Sequence, residues 1–349
     1  ISAVVHLGLQ HHLATRLRVG LHQRNAELAQ NMGNQMKHHI TLLAALTALS
    51  LSSQALAADN TWAISPAWNQ SSDSDGLHIH KAFASAMPSY TNGLKWQGVE
   101  WQEQRYKQNS TSLSGRGVNY TAQDLDALTG LGYSLKVGLN QGSEKTTVIG
   151  DWNYNQAFNS QLNWGVFASR DWVESIGALQ QGIHYDLVGG NVDYQVHPRV
   201  TLVGALAQTH FSDGKDRQQQ RARAVWDAWP DQGITLQWAY KHQLGDSNGV
   251  TAHHYFNPDR LDESMGLIGW RRRMEGWQWY ARLGEGRQQV NNAGHTPARL
   301  AELQLTSPVR GDWYFKLRAG RSESMGLYSS NDGYVYRYFD VQWIWRLGR

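Results

Sequence analysis

The 349-residue sequence predicts an all-β fold, a transmembrane antiparallel β-barrel of about 16 strands, within a range of roughly 14 to 18. Three observations predict it. A leader for export lies near the start, long segments alternate apolar and polar residues with period two, and aromatic residues crowd the ends of the apolar faces.

The leader comes first. Residue 1 is Ile, and from Met36 the chain reads MKHHITLLAALTALSLSSQALAADN. Met36, Lys37, His38 and His39 form a short basic region, Ile40 to Leu51 form an apolar one, and Ala55-Leu56-Ala57 supplies the small-x-small pattern of signal-peptidase cleavage. The apolar run is shorter than the roughly 20 residues of a spanning helix. Residues 36–57 are therefore expected to be a signal peptide cleaved near Ala57. Residues 1–35 are expected to be upstream translation without a structural role, and 58–349 the barrel.

This division changes the charge argument. The chain holds 32 Lys and Arg against 29 Asp and Glu. Residues 1–57 contain Arg16, Arg18, Arg24 and Lys37 but only Glu27, which leaves 28 basic and 28 acidic groups beyond them. The basic pI belongs mostly to the leader, so nucleic acid is not expected as a partner. Cysteine is absent, which excludes a disulfide scaffold.

The alternation then recurs along the chain. In GITLQWAYKHQ, Ile234, Leu236, Trp238 and Tyr240 share one face, with Thr235, Gln237, Ala239 and Lys241 on the other. GWQWYARLGEGR sets Trp277, Trp279, Ala281 and Leu283 against Gln278, Tyr280, Arg282 and Gly284. DWYFKLRAGR sets Trp313, Phe315, Leu317 and Ala319 against Tyr314, Lys316, Arg318 and Gly320. YFDVQWIWRLG closes the chain with Phe339, Val341, Trp343, Trp345 and Leu347 against Asp340, Gln342, Ile344 and Arg346. A soluble sandwich also alternates. Segments of roughly 9–13 residues suit tilted strands crossing a bilayer better, and lipid requires the sheet to close. Turns of the type QGSEK (141–145), NNAGH (291–295) and SSNDG (329–333) separate the segments. Pro198, Pro230, Pro258 and Pro308 fall at strand ends or turns.

Three stretches, SRDWVESIGALQQGIHYD (169–186), FSDGKDRQQQRARAVWDAWP (211–230) and HHYFNPDRLDE (253–263), occur in this order. Together they resemble the barrel domain of the outer-membrane porin family that exports poly-β-1,6-N-acetylglucosamine, a biofilm exopolysaccharide. The residues that carry the resemblance are Arg170, Asp171, Glu174 and Ser175, then Asp213 and Gly214 in a turn, then Asn257 and Pro258. It implies a barrel in the bacterial outer membrane, surrounded by lipid and lipopolysaccharide, that passes or binds a β-linked, partly de-acetylated polysaccharide chain. In that family a helical periplasmic repeat region precedes the barrel. Here the leader runs almost directly into strands, so a separate periplasmic repeat protein or a synthase complex is the expected partner.

His210 and Ser212 raise a competing reading. His210-Phe211-Ser212-Asp213-Gly214 is similar to the His-x-Ser-Asn-Gly motif of outer-membrane phospholipase A, with Asp213 replacing the amide. That reading makes His210 the base and Ser212 the nucleophile. Along VTLVGALAQTHF the register places Phe211 toward lipid, which turns His210 and Ser212 inward, the wrong side for attack on membrane phospholipid. The expectation is therefore a strand-connecting turn and no enzyme.

If the Trp-rich faces meet lipid, the opposite faces line the lumen. That places Arg217, Arg221 and Arg223, then Gln278, Tyr280 and Arg282, then Lys316 and Arg318, where a passing polymer would touch them. Arginine, glutamine and tyrosine offer exchangeable hydrogen bonds and ring faces to a sugar chain, although any water-filled barrel also has a polar interior. A nonspecific or purely structural barrel is a further alternative. Glu174, Asp193 and Asp213 are the candidate acids. Arg272 falls on the outward face with Trp270 and Ile268, at a membrane boundary. His78 with His80, and His253 with His254, lack a third ligand at readable spacing, and no phosphate-binding motif is present. No cofactor and no metal are expected.

Overall fold

The computed structural model describes residues 61–143, 145–246, 254–324 and 334–347. The expected leader, the SSNDG turn and His253 lie outside these residues. Sixteen antiparallel strands follow one another: β1 (Thr61–Asp73), β2 (Leu77–Asn92), β3 (Lys95–Gln108), β4 (Thr111–Leu125), β5 (Gly132–Gly142), β6 (Thr146–Asn159), β7 (Leu162–Trp172) and β8 (His184–His197). The second half is β9 (Val200–Phe211), β10 (Asp216–Trp229), β11 (Ile234–Gly245), β12 (Arg260–Met274), β13 (Trp277–Val290), β14 (Thr296–Thr306), β15 (Trp313–Ser322) and β16 (Tyr336–Leu347). Each strand pairs with the next, and β1 pairs with β16, so the sheet closes on itself. Closure removes the unpaired edge that lipid cannot solvate.

The even strand number puts the start of β1 and the end of β16 at one mouth, called proximal here; the other mouth is distal. Several proximal turns are tight. At Glu275-Gly276 both residues have positive φ (50° and 82°), the pattern of a type I′ hairpin, which matches the twist of the flanking strands. A 13-residue strand such as β1 is about 43 Å long. Tilted by about 40°, it rises roughly 33 Å, enough to cross an apolar band about 25 Å tall.

The outer surface confirms the alternation. Leu206, Ile268 and Leu283 are 64, 57 and 63% exposed, while Gln243, Asn119 and Arg282 on inward positions are buried. An apolar belt around a barrel far exceeds the patch a soluble monomer tolerates. Near the proximal mouth the belt becomes aromatic. Trp279, Trp277, Phe315, Trp343 and Trp313 touch in sequence, with ring centroids 5.3 to 6.4 Å apart. Such amphipathic rings suit the membrane–water interface.

The distal mouth is filled from within. Between β7 and β8 the chain folds into the bore as a short helix, α1 (Ile176–Gln181). Ser175 caps it by accepting a hydrogen bond from Ala178 N–H, and Gly182 ends it in the left-handed conformation (φ 70°). Ile176 and Leu179 pack with Leu77, Ile79, Tyr106 and Ile149 from β2, β3 and β6. Val173, Ala178 and Ile183 pack with Phe167, Tyr185, Leu187 and Phe211 from β7, β8 and β9. One apolar core of this barrel is thus a plug at the distal end of the lumen, and a second, of Ala63, Met87, Tyr90, Tyr314 and Ile344, lies at the proximal end.

Candidate functional site: the bore and its distal plug

Each residue expected in the lumen occupies an inward position. Arg217, Arg221, Arg223 and Arg282 line a cavity on the β8–β14 side, which Lys241, Glu263 and Glu302 also line. Lys316 and Arg318 line a second cavity with Lys81, Lys136, Glu100 and Asp340. Gln278 and Tyr280 share the inward face of β13 with Arg282, and the Arg271 guanidinium lies 5.6 Å from the Tyr280 ring centroid. Arg272 points outward with Trp270 and Ile268 at the proximal end of β12. His78 and His80 face outward on β2, and His80 meets the Trp68 ring at 5.7 Å.

Ion pairs staple the inner wall. Arg282 donates to Glu302 at 2.8 Å, with both side chains nearly fully buried. Arg318 donates to Asp340 at 2.6 Å, and Lys136 to Glu100 at 2.7 Å. Around them runs a ladder of amides. Gln104 donates to Asn140 at 2.7 Å, Gln102 to Gln104 at 2.9 Å, and Gln219 to Gln243 at 3.2 Å. Asn119 Oδ1, Asn140 Nδ2, Gln219 Oε1 and Gln243 Nε2 are buried with no hydrogen bond inside the described residues.

Parts of the three stretches that carry the family resemblance meet at the distal mouth. Glu174 reaches from the plug across the bore to Lys81 on β2. Ser175 donates its hydroxyl to the His254 carbonyl. Tyr255 stacks on Phe211 with centroids 4.6 Å apart and donates to Asp213 at 2.8 Å. Arg217 donates to the Asn257 side chain at 2.9 Å and to the Phe256 carbonyl at 2.5 Å. Asp171 faces the bore in β7, and Gly214 turns the β9–β10 hairpin with φ 89°. Asp213 and the 254–259 segment thus brace α1 from the opposite side. Arg170 is the exception: it faces outward and forks onto Asp186 of β8 at 2.5 and 2.6 Å.

One expectation is reversed. Phe211 does not face lipid; it is 2% exposed, inward, beneath Tyr255 and 4.9 Å from the Arg217 guanidinium. His210 therefore points outward, in the same face of β9 as the exposed Leu202 and Leu206. The physical reason is the plug. β9 runs beside an apolar interior, so its inward residues Ala205, Ala207 and Phe211 are apolar, and polarity no longer marks the lumen. His210 Nδ1 lies 3.0 Å from Asp216 Oδ1, within a cross-strand row of Arg170, Asp186, His210 and Asp216. Ser212 is occupied otherwise: its N–H donates to the His184 carbonyl at 2.9 Å, and its Oγ accepts from His184 N–H at 3.1 Å. That reciprocal bond closes the turn, and no described contact joins Ser212 to His210.

Against known structures this geometry has clear parallels. The fold is that of an outer-membrane β-barrel. A solved structure described as "Bacterial polysaccharide outer membrane secretin" superposes with a TM-score of 0.62 at 9% identity, covering 83% of this chain and 100% of its own. OccAB3 of Acinetobacter baumannii follows at a TM-score of 0.41 and 8% identity, covering 83% and 100%. OmpF of Salmonella typhi gives 0.39 and 10%, covering 81% and 97%. No family model and no curated protein matches the chain in sequence.

Lys81, Glu100, Lys136, Asp151, Lys241, Glu263 and Glu302 were not among the expected site residues. The signal was present for most of them. Lys241 sits two positions from Gln243 and Ala239 on the polar face of β11, and Glu302 alternates with the outward Leu303. Helix α1 gave no such signal, because six residues carry too little periodicity to read.

Proposed function

We propose that this chain is a porin-like channel of the bacterial outer membrane that exports or binds a secreted exopolysaccharide. The observation that carries the reading is the lining of the bore: Gln219, Arg221, Arg223 and Arg282 face one cavity with Tyr336 and Tyr338, and Gln102, Gln123, Gln304 and Gln342 face the other with Lys136 and Arg318. Such groups exchange hydrogen bonds with sugar hydroxyls without trapping the chain, and weak repeated contacts are what conduction requires. The likeness to a polysaccharide secretin barrel supports the reading at the level of fold. The poly-N-acetylglucosamine-like identity of the cargo rests on the resemblance over 169–263. Its expected surroundings are lipid and lipopolysaccharide, with a periplasmic repeat protein or synthase complex feeding the proximal mouth.

Single-channel recording of the purified protein in planar bilayers tests this. A steady conductance with blocking events that depend on added β-linked oligosaccharide is expected. Conductance unaffected by any saccharide would instead make the barrel a nonspecific pore.

A further inference from the structure

We propose that the outer face of β12–β16 holds a phosphorylated glycolipid of the outer leaflet, with its acyl chains in a hollow of the lipid-facing wall and its phosphates on an arginine rim above. This goes beyond the channel reading. It rests on the placement of the barrel in an outer membrane and is independent of what the bore carries.

The hollow lies on the outside of the barrel. Leu236, Gly266, Ile268, Leu283 and Ala301, from β11 to β14, line a depression of about 670 Å³. All five occupy outward positions on their strands. Small residues create the space. Gly266 stands opposite Glu285, and Ala301 opposite Leu283, so two places on the wall that could carry large apolar side chains carry none. The backbone does not demand glycine at 266: a Cβ there would meet the Glu285 carbonyl oxygen at 3.9 Å and nothing nearer. The depression is therefore a feature of the lipid-facing surface and not the by-product of a bulge or a close strand approach.

The distal rim of the same hollow is charged. Glu285, Arg299, Arg321 and Glu323 line it, and Arg287 and Arg337 extend it, exposed on the outward faces of β13 and β16. Both acids are already engaged. Arg299 donates to Glu285 at 3.2 Å, Arg321 donates to Glu323 at 2.7 Å, and Arg299 lies 3.5 Å from Glu323. Arg287 and Arg337 join no ion pair among the described residues. Arg337 is also the direct cross-strand partner of Arg321, and like charges set opposite each other destabilise a sheet. A bound anion removes that repulsion.

Height and width identify the anion. Arg287 follows Trp277 of the proximal aromatic belt by ten positions on β13. At a tilt of about 40° this is a rise of about 26 Å, so the rim stands at the far edge of the apolar band. The longest connections, 173–183, 246–259 and 323–335, lie at the distal end, and long loops face the exterior in outer-membrane barrels. The rim is thus at the headgroup level of the outer leaflet. Arginine takes phosphate through two parallel N–H groups. β13, β14, β15 and β16 each contribute one rim arginine, across a width of about 14 Å. A single phosphate does not span that width; a sugar headgroup with two phosphates and several acyl chains does.

The test is native mass spectrometry of the full chain in detergent with diphosphoryl lipid A, phosphatidylglycerol and inorganic phosphate as probes. The expected result is one bound lipid A, held about tenfold more tightly than phosphatidylglycerol and not displaced by millimolar phosphate. In Arg321→Gln/Arg337→Gln the affinity for lipid A falls about tenfold. In Gly266→Leu, which fills the hollow and leaves every charge in place, it falls as well, and this variant decides the matter alone if the double variant fails to fold. Equal binding of phosphatidylglycerol overturns the glycolipid. Lipid A binding unchanged in the variants overturns the site, and displacement by phosphate alone shows that the hollow holds no chain and overturns it too. None of these outcomes changes block of the bore by saccharide, so this site and the channel reading fail separately.

Discussion

Tyr255 shows how a single side chain can hold the distal mouth in place. Its ring stacks on Phe211, and its hydroxyl donates to Asp213 at 2.8 Å. Burial and the adjacent Asp213 carboxylate push its pKa well above the ordinary tyrosine value. A group whose pKa is raised on docking contributes stability that is complete below its undocked pKa and is lost as pH climbs past it. Below about pH 10 the phenol is neutral in both states and the bond is intact; above it, the undocked segment ionises while the docked tyrosine resists. Limited proteolysis of the 254–259 segment is therefore expected to accelerate above about pH 10. In Tyr255→Phe cleavage should already be faster at neutral pH, by the loss of a charge-accepting hydrogen bond of about 1.5–3 kcal/mol, and should depend less on pH. Tyr334, raised in the same direction by burial and Asp73, supplies the residual alkaline response. A rate that is the same in both proteins at every pH would show that this bond holds nothing. None of this was legible at residue scale in the sequence. Alternation marked Arg221 and Arg282 correctly because their neighbours on the outer face are apolar. It failed at Phe211, where both faces of β9 are apolar and only the plug decides which one is inside.

At the scale of elements, strands and turns were largely readable and the plug was not. Period-two alternation needs only local residues, so β11, β13, β15 and β16 match the expected faces position by position. Helix α1 is fixed by distant partners: Leu77, Ile79, Tyr106 and Ile149 on three other strands, and Lys81 through Glu174. No local pattern announces such partners. On the channel reading, α1 and the 254–259 segment, which fill the distal mouth, set how much current the bore carries. Replacing 175–182 with a shorter Gly-Ser linker removes the cap, the helix and its apolar contacts together. Single-channel conductance is expected to rise about twofold or more, since pore conductance scales with open cross-section. The smaller change Ser175→Ala, worth about 1 kcal/mol of capping, should give the same result in part, as flickering between two conductance levels. Unchanged conductance in both would mean that the constriction lies elsewhere along the wall.

For the whole molecule, the decisive question is which solvent the outer surface meets. Leu206 lies on the outward face of β9, 64% exposed. In a soluble sheet, replacing such a residue with arginine is nearly neutral, because long charged side chains reach water freely. On a barrel in lipid the same change costs about 2–4 kcal/mol near the midplane and roughly 0–1 kcal/mol near the interface. Leu206→Arg and an arginine at Trp345, beside the proximal mouth, therefore form a matched pair. Reversible urea unfolding from phospholipid vesicles should show Leu206→Arg destabilised by about 2–4 kcal/mol and Trp345→Arg by less from the charge itself. Equal, small effects at both sites would place water around the outer face. The membrane assignment would then fall, and with it the reading of the arginine wall as the lining of a channel.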